Sequence, residues 1–392
     1  MTDINIKETI PDKKSFFNVK RFSLKGLNSD FLIKTIDSAN TNKKLIENNK
    51  EFGVKGIIFE KSKIIKGFED IKTIMNQSDN QKINDFFGRK AWLDDKFTIF
   101  HATLKFNPYS HIKKIEEING FFHYYYSYSK NLILIPNVLK HYTPYDDEGK
   151  PSRNAIQVIS LEEYVKFVDE MYEFFEKLNN KPLFVPISLK FSMIELETLI
   201  RHYLKKERFY FWIDFECSSA DLSNGGIGAR IGLINHLLRE SKQFDKFIVF
   251  ATNVKREIIS NIKENKSPAS DILSTLCGAN IVGVDREPQR MFPKEENPEK
   301  QKKIIEHKAR TFDDSTYYYN ISREAKLNKP LNVTSNSIKL ANEFDKQKEY
   351  FLEKFEIENY LKSKEMINKY NNGKIIKSLN ISGEKAKVSK WF

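Results

Sequence analysis

Cysteine is almost missing from this chain: Cys217 and Cys277 are the only two in 392 residues. That excludes a disulfide framework and an all-cysteine zinc cluster, and it suits a reducing interior. No Gly-x-Gly-x-x-Gly follows a first strand and no Walker A Gly-Lys-Ser/Thr occurs, so the common nucleotide-binding doubly wound folds lose support. The nearest glycine cluster, "NGGIG" at 224–228, has the wrong spacing. The seven histidines (101, 111, 123, 141, 202, 236 and 307) show no HExxH or other paired metal spacing. No apolar run approaches the roughly 20 residues that cross a bilayer. The first residues, "MTDINIKETIPDKKSFF", lack the apolar core of a secretion signal. A cytosolic protein without a membrane partner is expected.

What is present is aromatic and basic. The 31 Phe and 17 Tyr supply large buried areas and hydroxyls for a wet rim. Lys and Arg number 65 against 53 acids, a formal charge of +12, with a pI near 9.2. That balance favours a polyanionic partner, RNA or DNA, because cations near phosphates release counterions. The plain alternative is a soluble protein with a basic surface.

From about 97 to 290, short apolar runs alternate with amphipathic ones. "FTIFHATLKF" (97–106), "NLILIPNV" (131–138), "PLFVPISL" (182–189), 209–215, "KFIVFAT" (246–252) and "ANIVGVD" (279–285) read as strands. "VKGIIFE" (54–60) and "STYYYNI" (315–321) are candidates for an earlier and a later one. Helices are expected between them. Ser160 with Glu163 and Ser192 with Glu195 have capping-box spacing, and stretches near 227–242 and 270–277 complete the series. Strands alternating with helices of this length predict right-handed βαβ units and a parallel sheet. The length suits a TIM-like (β/α) barrel. The expected core spans 96–325, or starts near 54. A mixed N-terminal flank over 1–95, with weak helical signals at 28–47 and 68–87, precedes it. A C-terminal extension over 326–392 carries amphipathic helices from 337, stopped at Gly373, and a basic tail.

In such a barrel the residues just past the strands form the working rim. Here they are Asn107, Asn137, Lys190, Asp214 with Glu216, Asn253, and Asp285 with Arg286. Asp214 and Glu216 are two apart, so strand parity points both to one face. Such acids divide general acid and base roles or bind Mg²⁺. The alternative is neutralisation by Arg230, Lys190 or Arg286 as rim ion pairs. Asp214, Glu216 and Asp285 are the catalytic candidates. Asn107, Asn137, Lys190, Arg230, Asn253 and Arg286 are candidates for substrate contact. The Lys- and Pro-rich stretch 286–310 offers Arg290, Lys300, Lys302, Lys303, Lys308 and Arg310 to phosphates. "FFHYYYSYSK" (121–130) suggests base stacking, although its aromatics cannot all face one side. His101, inside a strand, reads as a satisfied core histidine. A cysteine beside a carboxylate, as Cys217 is, makes a poor nucleophile.

"WIDFECSS" resembles the opening Asp-x-Glu strand of DnaQ-like exonucleases, whose acids hold two metals. The helix-like "ARIGLINHLLRESK" after it departs from the antiparallel hairpin of that fold. At the level of fold, strand-end aspartates in a basic barrel are similar to the tRNA-guanine transglycosylases, which use an aspartate as nucleophile. Their Asp-Ser-Gly-Gly-Phe-Gln motif and Cys-x-Cys-x-x-Cys zinc site are absent. The leading expectation is a nucleic-acid-binding barrel that modifies a base or nucleotide, transferase-like, with Mg²⁺ as the one cofactor suggested. The alternatives are a non-catalytic barrel that binds RNA or protein, and a carboxylate- or metal-dependent hydrolase of a small molecule.

Overall fold

A computed structural model of the chain describes residues 4–24, 27–29, 33–48, 58–109, 115–142, 156–178, 180–223, 225–258, 265–286, 309–322 and 329–381. Three antiparallel strands open it: β1 (Asn5–Pro11), β2 (Asn18–Leu24) and β3 (Leu27–Ser29). Two very short strands, β4 (Ile33–Lys34) and β5 (Ile36–Asp37), precede helix α1 (Lys43–Asn48). β6 (Ile58–Ile65), α2 (Phe68–Met75), α3 (Asn80–Phe87), β7 (Phe97–Leu104) and α4 (Ile115–Tyr128) follow. Next come β8 (Ile133–Leu134), β9 (Asn137–Val138) and the antiparallel pair β10 (His141–Tyr142) and β11 (Gln157–Val158). The βα rhythm resumes with α5 (Leu161–Lys177), β12 (Leu183–Ser188), α6 (Met193–Lys205), β13 (Tyr210–Asp214), α7 (Gly225–Glu240) and β14 (Ile248–Thr252). The remainder is β15 (Lys266–Pro268), β16 (Ile281–Val282), β17 (Ala309–Asp313), β18 (Tyr318–Ser322) and helices α8 (Lys329–Lys354), α9 (Glu358–Lys362), α10 (Glu365–Lys369) and α11 (Lys374–Ile381).

The fold is mixed α/β. Six parallel strands form a curled, open sheet in the order β4-β16-β14-β13-β12-β8. A second parallel sheet runs β5-β6-β7-β9. Its outer members continue the edge strands of the first, β5 following β4 and β9 following β8 after a two-residue gap or less. A third, antiparallel sheet, β15-β18-β17, stands apart.

Several expectations need correction. The 315–321 stretch lies in that antiparallel sheet rather than the parallel one, because Tyr318–Ser322 pairs with β15 and β17. Residues Asp271–Cys277 form a wholly buried 3₁₀ helix in place of an α-helix. The expected strand at 131–138 is split in two, and only Ile281–Val282 of 279–285 is strand. Within 28–47, read as weakly helical, the chain forms β4 and β5 before α1. Gly373 (φ 69°) ends a 3₁₀ turn and leads into α11, so helix continues past it.

Helix starts follow local chemistry. Ser160 accepts from the Glu163 N–H while the Glu163 side chain caps Ser160, and Ser192 with Glu195 repeats this on α6. The parallel strands are buried on both faces. Phe211 and Ile213 join the large core beneath the helices. Trp212 points to the enclosed face and packs with Ile58, Ile99, Leu134, Phe184, Phe250 and Ile281. Ile4, Phe22 and Leu24 of the N-terminal strands join this second cluster, and the Tyr210 hydroxyl accepts from the Ile4 N–H at 3.0 Å. The opening hairpin thus packs against the apolar face near the end where the strands begin. No helix among the described residues is long and apolar enough to cross a membrane.

Candidate functional site

Two residues along a strand return to the same face. On the enclosed face, the apolar tier of Ile58, Ile99, Trp212 and Phe250 is therefore followed towards the carboxyl ends by Glu60, His101, Asp214 and Thr252. Every one of these four polar residues is fully buried. Burying a charge is costly unless it is paired and hydrogen-bonded, so the partners matter.

Glu60 is the lower anchor. One carboxylate oxygen meets His101 Nε2 at 2.7 Å and accepts from Thr252 Oγ1 at 2.6 Å. The other accepts from Thr35 Oγ1 at 2.6 Å and the Val284 N–H at 3.0 Å. Burial pushes this carboxyl upward, but His101 and the two threonine hydroxyls outweigh it and hold the group below its ordinary range. Gly283 makes the approach possible. A Cβ there would lie 2.8 Å from Glu60 Oε2 and 2.5 Å from Thr252.

Asp214 is the upper anchor. It accepts from Thr103 Oγ1 (2.7 Å), Asn137 Nδ2 (3.0 Å), Asn253 Nδ2 (2.8 Å) and the Glu216 N–H (3.0 Å). Four donors from four segments suit an acceptor-only carboxylate. Each amide is fixed in turn. Asn137 Oδ1 accepts from Tyr164 at 2.8 Å, and Asn253 Oδ1 from Ser62 at 2.9 Å, whose oxygen accepts from Arg286 Nη1 at 3.1 Å.

Beyond Asp214 the strand stops, so Glu216 joins the cluster through a turn and not by strand parity. Glu216 (φ 48°), Cys217 (φ 62°) and Asn253 (φ 55°) all take left-handed backbone, which costs on the order of 1 kcal/mol or more each. The Cys217 N–H donates to the Asn253 carbonyl at 2.9 Å and locks the two turns together. The residue Glu216 keeps some exposure, yet its carboxyl is densely surrounded. Burial, followed by the charge of Asp214, pushes it up to about 8, against the opposing pull of Ser188, Lys190 and Asn137. Ser188 donates to it. Lys190 is exposed at the rim, 3.4 Å from Ser218 Oγ.

Other candidates are placed elsewhere. Asp285 lies 3.3 Å from buried Lys34 and faces Asp271, whose carboxyl is pushed well up by burial and by the Asp285 charge. The Tyr319 hydroxyl donates to Asp271 at 2.5 Å. Asn107 bonds Glu163 of the α5 cap at 3.2 Å. Arg230 donates to the carbonyls of Phe191 (2.8 Å) and Gly226 (2.7 Å). Arg310, on β17, is ion-paired with Glu257. Arg290, Lys300, Lys302, Lys303 and Lys308 lie outside the described residues. Among the described residues, no group of three or more His, Cys, Asp or Glu is gathered to hold a metal ion, so the acids offer Mg²⁺ no ready cage.

Thr103, Ser188, Thr252, Ser62 and Glu60 belong to the cluster but carry little signal of their own in sequence. Glu60 has the clearest one, a carboxylate directly after the apolar run 57–59. No known protein family matches the chain, and no curated protein matches it either.

Proposed function

We propose that the two parallel sheets are parts of one eight-stranded (β/α) barrel, and that the chain is an enzyme working at its carboxyl-end mouth. Closure is supported by two stretches that each pair into both sheets. Residues 33–37 pair with β16 through Ile33 and Lys34, and with β6 through Ile36 and Asp37. Residues 133–138 pair with β12 through Ile133 and Leu134, and with β7 through Asn137 and Val138. On this reading the barrel core, expected over 96–325, reaches back to residue 33.

The observation carrying the catalytic reading is that two neighbouring carboxyls are made unequal. Asp214 accepts from four donors, whereas burial and the Asp214 charge push the Glu216 carboxyl up to about 8, so that it keeps its proton near neutral pH. Splitting a pair in this way assigns acid and base roles. Since Asp214 is wholly buried and Glu216 is not, Glu216 is the group that meets substrate. It donates a proton to a leaving group, and the resulting carboxylate takes one back from the incoming nucleophile. Asp214 positions it and sets its proton affinity. Lys190 and Arg286 at the rim suit a phosphate-bearing substrate, and with the charge of +12 they favour a nucleic acid whose base or nucleotide enters the mouth.

The test pairs binding with turnover. Labelled RNA and duplex DNA should bind with an affinity that falls steeply between low and moderate salt. Base release or exchange, followed by mass spectrometry, should vanish in Glu216→Gln while its unfolding midpoint stays near wild type. Binding indifferent to salt sinks the nucleic-acid reading, and turnover surviving Glu216→Gln sinks the catalytic one. The complete burial of Asp214 favours a second reading, a barrel that binds without reacting. Salt-dependent binding without any turnover would select it.

A further inference from the structure

We propose that a cavity on the outer flank of β6 and β7, sharing no residue with the carboxylate cluster, is a binding site for a nucleotide. The cavity measures about 290 Å³, near the lower end of ordinary ligand sites of about 300–1,000 Å³. Its walls include Ser38, Phe87, Arg89, Tyr124, Tyr128 and Lys130.

Three features point to a flat ring carrying an anion. The first is a cluster of nearly parallel aromatic rings. Phe87 and Tyr128 lie parallel, 4.5 Å apart with 7° between planes, and Tyr124 stands beside this pair, 6.3 Å from Phe87 and 6.5 Å from Tyr128 at 19° and 26°. Tyr124 is 40% exposed, so this ring is within reach of solvent. On the same helix Phe121, Phe122 and Tyr125 are wholly buried in the core, which separates packing aromatics from available ones. Base–aromatic stacking tolerates any base because every base has a π-face.

The second is cationic. Arg89 holds its guanidinium 5.8 Å over the Tyr128 ring while its Nε donates to Asp94 at 2.9 Å. The Tyr128 side chain also bonds this guanidinium, which is half exposed and so can meet an incoming phosphate. Lys130 donates to the Asp94 carbonyl beside it. Burial lowers the proton affinity of neighbouring Lys61, Asp37 opposes it, and Lys63 and Lys90 have smaller lowering effects.

The third is an unused polar group. Ser38 Oγ is buried, lines the cavity and has no hydrogen-bond partner among the described residues. A buried hydroxyl without a partner is costly, and a ligand that bonds it removes the cost. Gly88 keeps this floor open. Its φ is +73°, and a Cβ there would come within 2.6 Å of Ser38 Oγ. A second cavity, lined by Asp85, Lys90 and Trp92, adjoins across Arg89 and Asp94 and gives room for the rest of a nucleotide or strand end.

Isothermal titration of the full chain with adenosine monophosphate tests this. Binding with a Kd below about 1 mM, at least tenfold tighter than inorganic phosphate, is expected. Arg89→Ala and Tyr124→Ala, both at solvent-reaching positions, should each weaken it by about tenfold. A 5′-phosphorylated oligonucleotide shows the source. If it competes with the monophosphate and is itself weakened by Arg89→Ala, the occupant is a strand end; if it does not bind, the occupant is a free nucleotide. The proposal is overturned if the monophosphate does not bind, binds no better than phosphate, or binds both variants as it binds wild type.

Discussion

Glu216 stands two residues beyond Asp214 and keeps its proton largely because of burial and that neighbour's charge. The relationship has a sign that can be measured. The carboxyl's ordinary value is 4.5 and its folded value is about 8. The folded state therefore holds a proton that the unfolded state releases in this window. Its contribution is fully present below pH 4.5 and is lost as pH rises towards 8, at no more than about 1.4 kcal/mol per pH unit. Urea unfolding of wild type from pH 5 to 8 should show this decline, and Glu216→Gln should flatten it. Equal slopes in the two proteins would refute the assignment.

Asp214→Asn tests the upper anchor. The new amide would bring hydrogens towards Thr103, Asn137, Asn253 or the Glu216 N–H, all of them donors now. A loss of about 1–3 kcal/mol in stability is expected. It should come with a lower proton affinity at Glu216, read as a shift of the pH dependence towards acid. An unchanged profile would mean that the two carboxyls do not interact.

Glu60→Ala strands the His101, Thr35 and Thr252 side chains and the Val284 N–H at once. Removing one partner from a buried charged network costs about 3–5 kcal/mol. Chemical denaturation should show a loss of that size, or the variant should fail to accumulate as folded protein. A near-neutral effect would refute the role given to this carboxylate.

Gly283→Ala presses a methyl group onto Thr252 and Glu60 Oε2. Overpacking of this kind costs about 1–3 kcal/mol. The same substitution at Gly225, where a Cβ would meet nothing within 4 Å, is the control and should be close to neutral. Thermal unfolding of the two variants side by side gives the comparison.

Much of this layout is legible in the sequence because its chemistry is local. Ser160 with Glu163 and Ser192 with Glu195 announce their helices by a four-residue pattern, and the long apolar strands announce themselves by composition. The 33–37 stretch does not. β4 and β5 are two residues each, include Lys34 and Asp37, and gain their strand character only from partners far along the chain. β6 outruns its expected end at 60 because Lys61 and Lys63 alternate with Ser62 and Ile64, a polar run whose parity matters more than its hydropathy. Asp214 and Glu216 stand out as carboxylates closing an aromatic run. Thr103, Ser188 and Thr252 do not, since hydroxyl residues are ordinary in strands until a carboxylate is found beside them. Asp285, expected to work with Asp214, is bonded instead to Lys34 and faces Asp271, which reads in sequence as a helix start.

In the proposed barrel the opening hairpin would decide how traffic flows. With Ile4, Phe22 and Leu24 packed at the end where the strands begin, a compound reaching Glu216 in that barrel would leave by the doorway it entered. Under the proposed catalytic reading, product and substrate would then compete for one passage. Shortening the chain ahead of β2 would breach the floor, flooding the dry tier around Trp212 before it disturbed any residue of the rim.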